Sequence, residues 1–147
     1  MTENLEPGMV EVSETGTGRY TNNVHAGLHV LIADEPVGVG GNDDGPGPYD
    51  YLLGALGACT SITLRMFADR RKLPLERVTV RLTQRKVHAE DCADCETRQG
   101  HITEIDREIR LEGNLSEEQR KLLMDIADKC PVHRTLTSEI RIRSRLA

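Results

Sequence analysis

Aromatic side chains are nearly missing from this chain of 147 residues, which has one Phe, three Tyr and no Trp. Aliphatic side chains must then build the core, and so short a chain has few to spare. Composition therefore hints at a core shared between two copies. A strong charge of one sign is lacking too. The formal net charge is −5 with 29% charged residues, which argues against a nucleic-acid partner. The leading segment MTENLEPGMV shows neither the basic start nor the apolar run of a secretory signal. No window approaches the roughly 18 uncharged apolar residues of a membrane span. A cytoplasmic protein with no membrane partner is the expectation. In that reducing compartment the four cysteines read as packing, metal or redox chemistry rather than as a static disulfide framework.

Familiar catalytic signatures are absent as well. No GxSxG occurs, and Ser61 and Thr63 read more simply as helix residues. The stretch EPVGVGGNDDGPGP is rich in Gly, Pro and Asp but lacks the Lys-Ser/Thr ending or GxGxxG spacing of a phosphate cradle. It reads as a loop.

What the chain does hold is a clear order of elements. MVEVSETG alternates and ends in a glycine-rich turn, and RYTNNVHAG with LHVLIAD suggests a hairpin about Gly27. From Pro48 to about Lys72 the pattern turns helical. Leu52, Leu53, Leu56, Cys59, Thr63, Met66 and Phe67 recur at spacings of three and four and predict one buried face. Gly54 and Gly57 leave room for another backbone. Such a helix would run roughly 35 Å at the usual rise.

Two alternating runs follow. Val78, Val80 and Leu82 mark the first, and Ile105, Ile109 and Leu111 mark the second. Ser116 and Gln119 stand in capping-box spacing ahead of Leu122, Leu123, Ile126 and Ala127 on one helical face. SEIRIRSRL reads as a closing strand. Strands, a long helix, strands, a helix and a strand predict an α+β domain.

The reactive candidates are cysteines. Cys130 precedes Pro131, and proline favours the first turn of a helix, so CPVHRTL can open a short helix with Cys130 at its cap. Backbone N–H groups there favour a thiolate, and His133 and Arg134 add positive charge. A small buried residue that merely precedes a proline is the competing reading. Cys59 lies in GALGACTSIT among apolar neighbours, so taken alone it reads as packing, and it needs a cation from elsewhere to react. Cys92 and Cys95 form the one CxxC, on an acidic stretch. With His88 and His101 they offer four soft ligands, but a redox dithiol and simply exposed thiols compete with zinc. His25 and His29 flank the hairpin turn and read as surface.

Two motifs together carry a resemblance. GPGPYDYLLGALGACTSITLRMFADRR, followed about seventy residues after its cysteine by IADKCPVHRTL, resembles the OsmC/Ohr family of thiol-dependent hydroperoxide reductases. HVLIADEP and the DCADC loop bring it nearest to a subgroup that includes domains fused behind α/β-hydrolases. The resemblance implies an OsmC-like fold over residues 1–147 as a single domain. That fold is an intertwined homodimer, with long central helices wrapped by antiparallel-rich sheets. It implies Cys59 as the peroxidatic and Cys130 as the resolving cysteine of a sulfenate–disulfide cycle, acting on an organic hydroperoxide or hydrogen peroxide. No bound cofactor or metal is implied. An external dithiol of lipoyl or thioredoxin type would restore the thiols. The hydroperoxide-reducing members also use an arginine from an early strand, for which Arg19 is the candidate. A glutamate orients it; here Tyr49 stands at that position and Asp50 follows. A binding or redox-sensing module of the same fold, without turnover, is the alternative.

Overall fold

The computed structural model describes residues 5–147; the opening MTEN of the leading segment lies outside them. The chain forms two compact units, one reaching to Leu52 and the other running from Leu53 to Ala147.

In the first unit β1 (Val10–Glu14), β2 (Asn22–Ala26) and β3 (His29–Ala33) form an antiparallel meander. Val12 faces Val24 across one ladder, and Val24 faces Leu31 across the next. The expected hairpin turn is there: Gly27 at φ +60° is the first of two loop residues, the position that demands a positive φ. The loop that follows is organised by Asp34, which is 2% exposed. Its carboxylate accepts the backbone N–H groups of Glu35 at 2.8 Å, Asn42 at 3.1 Å and Asp44 at 3.2 Å, and the Thr21 hydroxyl at 3.2 Å. Burial pushes this carboxyl up, but the backbone and hydroxyl donors outweigh it and hold it below its ordinary value. Loop N–H groups of the kind that cradle a phosphate thus serve a carboxylate of the chain itself.

The long helix α1 (Pro48–Arg71) opens with Pro48 and ends in Arg70 and Arg71, as its sequence predicts. Its buried residues are Leu56, Gly57, Thr60, Leu64 and Ala68. This stripe differs from the expected one. Met66 is 51% and Ile62 59% exposed. The helix is apolar or small almost all round, so periodicity alone cannot choose its inner face. By length and composition it would even suffice to cross a membrane, contrary to the count of strictly uncharged apolar residues. Its Gly, Ala, Ser, Thr and Cys residues are mild enough to keep a long window apolar. Gly57 marks a close approach, but to a side chain rather than a backbone: a Cβ there would meet Leu82 Cδ1 at 2.9 Å. Gly54 has nothing near it.

In the second unit β4 (Arg77–His88) and β5 (His101–Glu112) form a long antiparallel hairpin, with Val80 opposite Ile109 and Leu82 opposite Arg107. Gly113, at φ +135°, turns the chain out of β5 where a Cβ would strike the Pro74 carbonyl. Then α2 (Glu117–Ala127) begins at the predicted capping box. Ser116 Oγ accepts Gln119 N–H at 3.1 Å, and Gln119 Oε1 accepts Ser116 N–H at 2.9 Å. A short helix, α3 (Pro131–Leu136), follows with Cys130 at its N-cap. Leu64, Ala68, Leu75, Leu111, Leu115, Leu123 and Ala127 make the core. A fully buried leucine such as Leu64 or Leu123 contributes about 1.5–3 kcal/mol.

One expected element does not form. Residues 139–147 carry no regular structure, and Ile140 and Ile142 are 54% and 85% exposed. The alternation in SEIRIRSRL is real, but a strand exists only against another edge, and among the described residues none pairs with it. The rest is the predicted α+β arrangement of antiparallel sheets and helices.

Candidate active site around Cys59 and Cys130

Cys130 is fully buried and Cys59 is half-buried, and both are free thiols. The fold brings them together: the Cys59 side chain stands near enough to the Cys130 thiol to help lower it. Cys59 rides on α1, and Cys130 sits between α2 and α3. Proline at the first turn of α3 fixes the cap, and the His133 backbone N–H points at Cys130 Sγ at 3.3 Å. Thr60 Oγ1 lies 3.9 Å from the same sulfur. Burial pushes the Cys130 thiol up. The His133 N–H, the Cys59 thiol, the Thr60 hydroxyl and the Val132 N–H outweigh it, so the net direction is downward, toward thiolate. The cap reading of Cys130 therefore prevails over simple packing.

A cation that the sequence reading passed over completes this cluster. Arg107, on β5, has a side chain only 12% exposed. It donates to Thr60 Oγ1 at 3.0 Å, to the Ala127 carbonyl at 3.4 Å and to Asp128 Oδ1 at 2.7 Å. A signal for it was present. Arg107 falls in phase with Ile105, Ile109 and Leu111, a charge on the inward row of an alternating strand. His133 Nδ1 stands 4.0 Å from the same Asp128 oxygen. A cavity of about 390 Å³ opens beside these groups, lined by Leu56, Ile105, Met124 and Leu136 together with Arg107 and His133.

Arg19 sits in the bend between β1 and β2 rather than on a strand, with its guanidinium 5.3 Å from the Tyr20 ring centre. Asp50, in the first turn of α1, accepts the Gly47 backbone N–H at 2.9 Å, so its carboxylate already caps the helix start. Tyr49 is 53% exposed. Both Arg19 and Asp50 belong to the first unit and the two cysteines to the second.

Cys92 and Cys95 are bridged to one another, with Cα atoms 5.4 Å apart, in the turn that joins β4 to β5. The potential metal ligands gathered there are Cys92, Asp94 and Cys95, and bridged sulfurs are not thiolate ligands. His88 and His101 face each other across the hairpin, ring centres 4.3 Å apart.

Comparison with known proteins agrees with this architecture. Among solved structures, the OsmC-like protein of Mycoplasma pneumoniae superposes with a TM-score of 0.63 at 19% identity, covering 89% of each chain. An organic hydroperoxide resistance protein of Legionella pneumophila, OsmC, gives 0.63 at 19% identity over 92% of each chain. The organic hydroperoxide resistance protein OhrB of Bacillus subtilis gives 0.58 at 14% identity, over 88% of this chain and 90% of that one. Curated proteins offer no sequence match. The family model for OsmC-like proteins matches residues 41–145, a span that holds both free cysteines, and the chain belongs to the OsmC-like protein family.

Proposed function

We propose that this protein is a thiol-dependent peroxidase that reduces organic hydroperoxides or hydrogen peroxide through Cys59 and Cys130. One observation carries the reading: two free thiols meet inside the second unit, with donors that favour thiolate at one of them. The organic hydroperoxide resistance proteins among its structural neighbours support it.

Cys59 makes the first attack because it is half-buried and open to substrate, whereas Cys130 is fully buried. Its thiolate takes the terminal peroxide oxygen, the O–O bond breaks, and the alkoxide leaves to be protonated as an alcohol. Cys59 becomes a sulfenic acid. The Cys130 thiolate then attacks the Cys59 sulfur, forming S–S and expelling hydroxide, which is protonated to water. A dithiol of lipoyl or thioredoxin type returns two electrons and two protons. Arg19 is our candidate for the cation beside the Cys59 thiolate and Asp50 for its orienting carboxylate. The working form is a homodimer in the cytoplasm, without a bound cofactor. Exposed Ile62 and Met66 on α1, and Ile140 and Ile142 beyond α3, are the apolar positions a second copy would cover.

Tyr49, at the family's acidic position, favours one other reading: a binding or redox-sensing module that oxidises but does not cycle. Peroxide consumption with excess dithiol separates the two. Many turnovers per chain support the peroxidase; one equivalent or none supports the module.

A further inference from the structure

We propose that Arg107, acting through Thr60, is the positioning cation for the thiolate of Cys130. The argument turns on one hydrogen atom. A threonine hydroxyl has a single proton to donate and lone pairs to accept with. Arg107 can only donate, so its 3.0 Å contact uses a lone pair of Thr60 Oγ1. The hydroxyl proton must then go either to the Leu56 carbonyl at 2.7 Å or to Cys130 Sγ at 3.9 Å. With a neutral thiol the carbonyl is the better acceptor. An ionised sulfur reverses the preference, because a hydrogen bond to a charged acceptor is about twice as strong as a neutral one. The guanidinium next to Oγ1 polarises the hydroxyl and strengthens it as a donor. Thr60 is 0% exposed, so water does not compete for that proton.

Charged and titratable groups face this network from each element around it. Arg107 comes from β5, Asp128 from the end of α2, His133 from α3 and Cys59 from α1. Asp128 and the Ala127 carbonyl hold the guanidinium at the end of α2, where helix carbonyls favour a cation. The device differs from the Arg19 role proposed above. It serves the second step, in which Cys130 must be a thiolate to close on a sulfenic Cys59. That consequence rests on the peroxidase reading, whereas the thiolate preference does not.

The test is a titration of the Cys59→Ser protein under non-reducing conditions, following thiolate absorbance so that Cys130 is the thiol observed. Arg107→Met is expected to raise its midpoint by about one pH unit, a tenfold loss of thiolate near neutrality. Arg107→Lys should raise it less. Thr60→Val should raise it in the same direction, and Thr60→Ser, which keeps the hydroxyl, should restore it. A His133→Gln background removes the imidazole's own titration and should leave these differences in place. Midpoints unchanged in both Arg107→Met and Thr60→Val would overturn the inference. If Arg107→Met fails to fold, the Thr60→Val and Thr60→Ser pair decides alone. With Cys59 present, Arg107→Met should slow disulfide closure and leave more Cys59 over-oxidised by excess peroxide. A wild-type chain that consumes no peroxide would overturn the peroxidase reading, while unchanged midpoints would overturn this one.

Discussion

Cys59 and Cys130 meet where α1, β5 and the α2–α3 junction close together, while Cys92 and Cys95 are bridged in the acidic turn of the β4–β5 hairpin. β5 leads from the hairpin pair to Arg107 beside the other, and the two pairs have little else in common. Around the first, a buried sulfur receives backbone and hydroxyl donors, and a nearly buried guanidinium stands one hydroxyl away. Around the second, Glu90, Asp91 and Asp94 are exposed carboxylates, which disfavour another negative charge on sulfur. A cysteine's chemistry is set by what faces it. The Cys59–Cys130 pair has an environment suited to thiolate attack, and the hairpin pair does not.

The largest expected effect breaks the comparison at its centre. Cys59→Ser should reduce peroxide consumption to background even with excess dithiol, because Cys130 is fully buried and the exposed carboxylates around Cys92 and Cys95 disfavour thiolate there even when dithiol opens their bridge. Cys130→Ser should act differently. It should consume about one equivalent and stop, with Cys59 trapped as sulfenic acid or its over-oxidised forms; mass mapping of the Cys59 peptide reads this. Its stability should also fall by about 1–3 kcal/mol, since a hydroxyl replaces a fully buried thiol. The reverse pattern, Cys130→Ser inert and Cys59→Ser competent for one turnover, would exchange the two roles.

A core substitution sharpens the contrast. Leu123 is 0% exposed under the helix that leads to Cys130. Leu123→Ala should cost about 2–5 kcal/mol in denaturant unfolding and should loosen the thiol site before it disturbs the hairpin turn. Replacing both Cys92 and Cys95 by Ser should do far less. A bridge across so short a loop is worth about 2 kcal/mol or less, with the loss confined to the hairpin end and peroxide consumption intact. Stoichiometric zinc in reduced protein, with unfolding on chelation, would show the hairpin pair to be a structural metal site instead.

The smallest effect lies in the first unit. The Asp34 carboxyl sits below its ordinary value, so its contribution to folding is present above the unfolded-state value and fades as pH falls through the folded one. Protection of the amides of residues 35–45 from exchange, taken relative to their intrinsic rates at each pH, should therefore fall as pH drops below the ordinary aspartate range, and Asp34→Asn should remove that pH dependence.

Much of this was legible in the sequence, and the failures have physical causes. Ser116 with Gln119, and Cys130 before Pro131, are local signals, and each sits where it was expected. The β4 and β5 alternation likewise survives folding. The inner face of α1 differs from the one its spacing predicts, because a helix that is apolar or small nearly all round has no single phase. The closing strand does not form because Ile140 and Ile142 alternate but need a partner edge that none of the described residues provides. Arg107 was legible only in hindsight, as the one charge in step with Ile105, Ile109 and Leu111. Arg19 and Asp50 rest on resemblance rather than on anything in the local pattern.

The central claim is that Cys59 and Cys130 are a working pair. Its most direct test is to reduce the wild-type protein fully, add one equivalent of an organic hydroperoxide, and map the cysteines by mass under non-reducing conditions. The account expects loss of the two thiol hydrogens and a Cys59–Cys130 disulfide formed faster than free cysteine is oxidised. Oxidation confined to Cys92 and Cys95, with Cys59 and Cys130 still reduced, would contradict it.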